Sequence, residues 1–282
     1  MTLDKIYHAS YVLKDAVRDT ELIHAPKINP ESEIYLKPEN LQITGSFKVR
    51  GAYYKISQLS EEEKARGVIA CSAGNHAQGV ALAASKSGIK SLICLPDGAP
   101  ISKVEATKSF GADVCLVEGV YDDAYAKALQ LKEEKGYTFI HPFDDEAVIA
   151  GQGTIGLEIL NQLPEAEAVI VPIGGGGLIG GVAFAIKALN PKVKVYGVQA
   201  AGAPSMATSL KNKKITQLKS VSTIADGIAV KHPGDLTYEL VSEYVDGIVT
   251  VSAPQELVAM IVGKAVNLAK SLEVPVVGLV EN

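Results

Sequence analysis

The sequence predicts an α/β protein of two parallel-sheet lobes, each built in three layers. Three observations predict it. Short apolar runs alternate with helix-like runs along most of the chain, the pattern of parallel sheets with crossover helices. Small-residue turns follow two of those apolar runs directly, at Ser72–Gly74 and Gly174–Gly177. The length, 282 residues, suits two units better than one, since about 150 residues is the usual domain. With 47% hydrophobic and 21% charged residues the chain can bury sizeable cores.

The first informative stretch runs Pro38-Glu39-Asn40-Leu41-Gln42-Ile43-Thr44-Gly45-Ser46-Phe47-Lys48-Val49-Arg50. It reads as a polar turn opening into a helix, with Lys48 in the first helical turn. A cation is disfavoured at that end of a helix dipole. The placement makes chemical sense if the amine works neutral, as a Schiff-base nucleophile. The plainer alternative is a solvated lysine beside a turn.

Residues 51–142 read as the small lobe, with strands near Val68–Cys71, Ser91–Leu95, Asp113–Val117 and Thr138–His141. Leu59–Arg66 reads as a charged helix end and Tyr121–Lys135 as an amphipathic helix with a solvated face. The first strand runs into Ser72-Ala73-Gly74-Asn75-His76 and an alanine-rich helix, a strand-to-helix turn whose amides suit an anion. Residues 1–50 and 143–282 form the expected large lobe. Gly151–Leu163 reads as a helix, Ala168–Ile173 as a strand, and Gly174–Gly177 as a glycine loop. Such a run lets several amides converge on a phosphate, although a tight turn alone would also explain it. It is neither of the common nucleotide-loop patterns. Lys192–Gln199 reads as a further strand, followed by an irregular segment and an exposed basic run, Lys211–Lys214.

Several classes are excluded. The net charge of −5 is small and interspersed, which argues against nucleic acid and anionic membranes as partners. Residues 168–186 are uncharged over 19 positions but contain six glycines and a proline, so they are not a membrane span. No secretory leader is legible at the start. Cys71, Cys94 and Cys115 lie on or at the ends of apolar strands without metal-like spacing, and the odd count fits reduced cytoplasmic thiols. No metal site is expected.

Taken in order, the lysine segment, the Ser-Ala-Gly-Asn-His loop and the tetraglycine loop resemble the fold-type II pyridoxal-phosphate enzymes, with the tryptophan synthase β-like architecture. The threonine dehydratases (threonine deaminases) resemble the chain most closely, over about residues 1–250. The resemblance implies pyridoxal 5′-phosphate carried by Lys48 as a Schiff base, with Phe47 beside its ring and Asn75 on its phenolic oxygen. Gly174, Gly175, Gly176, Gly177 and the amide of Leu178 would take the phosphate. Ser72, Ala73, Gly74, Asn75 and His76 would receive the carboxylate of an amino-acid substrate. The implied reaction is α,β-elimination from L-threonine, or L-serine, to a 2-oxo acid and ammonia, in a homo-oligomer. Serine racemases place a hydroxyl where Ala73 stands, so Ala73 favours elimination over racemisation. Ile224–Val230 matches a further family loop near the cofactor.

From about Asp246 the resemblance weakens. Residues 247–282 resemble instead a helix–strand segment of Mrp-type ATPases, without the nucleotide motif, so a chimeric structural replacement is expected. It would comprise a helix over Ala253–Ser271 and a strand over Val274–Val280, with Glu281 near the cofactor's pyridine nitrogen. The family's regulatory domain has no counterpart in the sequence, so no feedback by amino acids is expected. The alternatives to a lyase are a cofactor-binding scaffold with little turnover and a serine racemase-like enzyme.

Overall fold

The computed structural model of the protein describes residues 1–252. The expected helix at Ala253–Ser271, the strand at Val274–Val280 and the placement of Glu281 lie outside the described residues. The chain opens with α1 (Leu3–Leu13), a short antiparallel pair, β1 (Ile23–His24) with β2 (Tyr35–Leu36), and α2 (Lys48–Ser57). There follow α3 (Glu61–Arg66), β3 (Val68–Cys71), α4 (Asn75–Lys86), β4 (Ser91–Pro96), α5 (Ile101–Ser109), β5 (Asp113–Val117), α6 (Tyr121–Lys135) and β6 (Thr138–Phe139). The last described elements are α7 (Glu146–Gln162), β7 (Ala168–Pro172), α8 (Gly177–Leu189), β8 (Lys194–Ala200), α9 (Ser205–Asn212), α10 (Asp235–Tyr244) and β9 (Gly247–Val251).

Two parallel sheets result, one ordered β5-β4-β3-β6 and one ordered β7-β8-β9. The first is covered on both faces. Ile56, Val68, Val80, Ile93 and Ile140 share a core on one side. Ile69, Cys71 and Cys94 meet Ala124, Ala128 and Leu131 of α6 on the other. The second sheet packs Val171, Ile173 and Val195 against Ile155 of α7, Ile179 and Val182 of α8 and Val241 of α10. β9 falls in the segment expected to depart from the family. It is nonetheless a regular member of that sheet, paired in register with β8 from Tyr196↔Gly247 to Ala200↔Val251. Among the described residues no helix is long and apolar enough to cross a membrane.

Three local expectations need correction. α7 begins at Glu146, not Gly151, because the Asp145 carboxylate accepts from the amides of Ala147 and Val148 at 2.9 and 3.1 Å, a standard N-cap. β6 ends at Phe139, because the chain turns back at His141, whose Nδ1 accepts from the amides of Phe143 and Asp144. The stretch expected to be irregular before Lys211 contains α9, and it ends with Lys213 in the left-handed region at φ 54°.

Glycines bring the site-bearing helices together. A Cβ at Gly151 of α7 would stand 2.7 Å from the Arg50 carbonyl oxygen of α2, and one at Gly153 would stand 3.0 Å from Gly181 O of α8. The backbones of α2, α7 and α8 therefore meet at distances no larger residue permits.

Candidate active site

Lys48 is the first residue of α2, and Phe47 before it is the N-cap. The lysine amine donates to the carbonyl oxygen of Pro142 at 2.6 Å and lies 5.5 Å from the centroid of the Phe47 ring. Burial lowers its pKa to about 8, since desolvation penalises the charged form. The structure therefore gives the amine the reduced basicity that its place in the sequence suggested.

α4 is drawn against the lysine. A Cβ at Gly79 would sit 3.0 Å from the Lys48 carbonyl carbon, so a larger residue would push the two backbones apart. The N-terminus of α4, with the Ser72–His76 loop in front of it, is thereby held close to α2. Ser72 Oγ accepts from the Gly74 amide at 3.1 Å, and Asn75 opens the helix with an exposed side chain. His76 is buried, with Nε2 2.8 Å from the carbonyl oxygen of Ile140. A carbonyl only accepts, so Nε2 carries the proton and donates. Nδ1 is then a bare acceptor, buried and without a partner among the described residues. Burial, reinforced by the nearby Lys48 charge, holds the ring's pKa down at about 3. His76 is a neutral imidazole.

The tetraglycine loop links β7 to α8, with Gly177 the first helical residue. Gly176 has φ 99°, a region that favours glycine. Side chains are excluded elsewhere in the loop as well: a Cβ at Gly175 would meet the Phe143 ring at 2.4 Å, and one at Gly177 would meet Phe143 O at 2.8 Å. The first amides of α8, including Leu178, have no intrahelical acceptor. Buried Thr237 of α10 donates its hydroxyl to Gly175 O at 2.6 Å and fixes the loop from below. Ile224–Val230 lies alongside, with Ile228 Cα 3.1 Å from where a Gly174 Cβ would be.

One segment, overlooked in the sequence, joins these parts. Ile140 holds His76, Pro142 holds Lys48, Phe143 packs on the glycine loop, and Asp144 accepts from the amides of Asp235 and Thr237 at 3.0 and 3.1 Å. The only signal for it was the Pro-Phe-Asp-Asp run between two regular elements. Behind α2 lies a second overlooked feature. The Arg50 guanidinium is fully buried, paired with Glu39 and Glu158, and Lys37 also reaches Glu158.

A partly neutral buried lysine and a glycine loop whose amides open a helix, both leaning on Pro142–Phe143, fit an aldehyde cofactor that bears a phosphate. The comparisons agree. The pyridoxal-phosphate dependent enzyme family matches residues 13–261, and the chain belongs to that family. The match runs past Asp246, where the sequence resemblance weakened. Within the family the chain is similar to an L-threonine ammonia-lyase of Thermotoga maritima, 55% identical over 254 residues, covering 89% of this chain and 63% of that relative. The chain thus spans less than two thirds of that relative's length. Among solved structures it is similar to the processed form of threonine deaminase isoform 2 from Solanum lycopersicum, with TM-score 0.85 and 41% identity over 89% of this chain and 71% of that one. Maize serine racemase gives TM-score 0.86 and 38% identity over 89% and 76% of the two chains.

Proposed function

We propose that the protein deaminates L-threonine, and L-serine as a second substrate, to a 2-oxo acid and ammonia. The observation that carries this reading is the Lys48 amine, with a pKa near 8, on the Pro142 carbonyl beside the glycine cradle. The names of the similar ammonia-lyase and deaminase support the substrate.

Pyridoxal phosphate, when bound, supplies the electron sink for charge left at the substrate's Cα. The chain does the rest. Gly174–Gly177 and the Leu178 amide would hold the phosphate at the start of α8. Phe47 would pack beside the ring, and Asn75 would bind the phenolic oxygen. The substrate carboxylate rests on the amides opening α4, where Ser72 Oγ and the Ala73 and Gly74 backbone complete the loop. Neutral His76 contributes its backbone amide there, while its ring holds Ile140. Lys48, once its amine is free, takes the Cα proton, and its lowered pKa keeps a useful fraction neutral near working pH. Pro142 O is the resting acceptor for that amine. Ala73 carries no proton to the opposite face, which favours elimination over the racemase reaction.

The two sheets support a division into a small lobe, 51–142, and a large lobe formed by 1–50 and, among the described residues, 143–252; α2 crosses that boundary. We assign the protein to the cytoplasm as a homo-oligomer, a reducing compartment that suits three free thiols.

The visible spectrum with pyridoxal phosphate, before and after L-threonine, tests the reading. Wild type should show a band that changes on mixing while 2-oxobutanoate accumulates, and Lys48→Ala should show neither. A band unaltered by threonine would make the protein a cofactor-binding scaffold. Equal product from wild type and Lys48→Ala would overturn the assignment of the lysine.

A further inference from the structure

The three cysteines stand in one row across the first sheet. Cys71 of β3 pairs in register with Cys94 of β4, and Cys94 pairs in register with Cys115 of β5. In-register residues of parallel neighbours project from the same face, and all three lie on the α6 side, among Ile69, Ala124, Ala128 and Leu131. All three are free thiols. Cys71 Sγ makes a long contact to the Tyr121 carbonyl at 4.0 Å, and the side chains packed around the row are apolar or aromatic.

We propose that this row binds one soft monovalent d¹⁰ cation, of the Cu(I) or Ag(I) class, in linear coordination between Cys94 and a neighbouring thiolate. Neighbouring strands stand about 4.8 Å apart. Two metal–thiolate bonds of about 2.3 Å, the length zinc makes with a thiolate, laid end to end span nearly that distance, so a two-coordinate ion matches the strand spacing. Thiolates select soft cations over hard ones. Among the described residues no three metal-ligating side chains converge; the row presents thiols two at a time, which suits a two-coordinate ion and not tetrahedral zinc. Binding displaces both thiol protons: two thiols and one cation give a dithiolate complex of net charge −1 and two protons. Among the described residues β5 is the sheet's edge strand and Cys115 is half-buried, so the ion has an entry point there, which favours the Cys94–Cys115 gap over Cys71–Cys94.

The test is Ag(I) retention by the full chain loaded with pyridoxal phosphate, read by native mass spectrometry in excess glutathione, which strips silver from single thiols. Wild type should keep one ion. Cys71→Ala should also keep it. Cys94→Ala should lose it, because the remaining thiols stand two strand spacings apart. Equal retention by Cys94→Ala, or none by wild type, overturns the proposal. Should Cys94→Ala fold poorly, X-ray absorption of silver-loaded wild type decides: two sulfur neighbours support the site, one or four exclude it. Retention is independent of turnover, so the outcome does not depend on the reaction proposed above.

Discussion

Replacing Arg50 by methionine tests whether the helix that carries Lys48 is held in place by charge. The guanidinium is fully buried and faces Glu39 and Glu158, donating through Nε and Nη2 to Glu39 at 2.8 Å and through Nη2 to Glu158 at 2.9 Å. Burial works against the Glu39 carboxylate, but the bonds from Arg50, Thr20 and Gln42 outweigh it and hold its pKa below the ordinary value. Methionine fills much of the volume and leaves two carboxylates facing each other without their cation. Breaking a buried pair from one side costs about 3–5 kcal/mol. Lys37 still pairs with Glu158, so the lower end applies, about 3 kcal/mol. For a chain of this size that lowers the melting temperature by roughly 6–12 °C. Thermal unfolding followed by circular dichroism measures it, with Arg50→Met/Glu39→Gln/Glu158→Gln as the control that removes the orphaned charges and should recover part of the loss. A melting temperature for Arg50→Met within about 2 °C of wild type would refute the reasoning, since the buried charges would then contribute nothing to anchoring α2.

Gly175→Ala should weaken pyridoxal phosphate binding tenfold or more, about 1.4 kcal/mol, because its Cβ would displace the Phe143 ring from 2.4 Å; a cofactor titration at wild-type affinity would count against the cradle. Asp246→Asn should lower stability at neutral pH and lose that disadvantage in acid. Asp246 sits at the start of β9, where burial opposes its charge but bonds from Lys187, the Val195 amide and Lys194 outweigh it and bring its pKa down to about 2. A depressed carboxylate pKa contributes stability above the unfolded value, about 4, which is lost as pH falls toward 2. Melting curves of the two proteins should therefore converge between those pH values, and a constant gap would disprove the linkage.

Strands with continuous apolar runs were legible at or near their true bounds, as with Val68–Cys71 and Asp113–Val117, and Tyr121–Lys135 was legible as a helix from its charge pattern. Lys48 and the tetraglycine loop were legible because each breaks a local rule, a cation at a helix start and four glycines in a row. What escaped the sequence depends on tertiary contact. Gly151, Gly153 and Gly156 read in the sequence only as positions in a helix, yet they are where α7 meets α2 and α8. The neutrality of His76 follows from burial and from the nearby Lys48 amine, which together outweigh its bond to the Ile140 carbonyl, 64 residues away in sequence. Pro142, Phe143 and Thr237 carry no pattern of their own, and their importance lies entirely in what they touch.

The segment from Ile140 to Asp144 also bears on the order in which the molecule forms. β6 must slot beside β3 across a long stretch of chain, and the glycine loop must close on Thr237 of α10, before Pro142 and Phe143 have their neighbours. Pairings so distant in sequence are slow to close. Both sheets can therefore gain their secondary structure in a refolding chain while the cofactor site is still unmade. The ability to hold pyridoxal phosphate should arrive last, so that cofactor capture reports on completed folding more strictly than helix or strand content does.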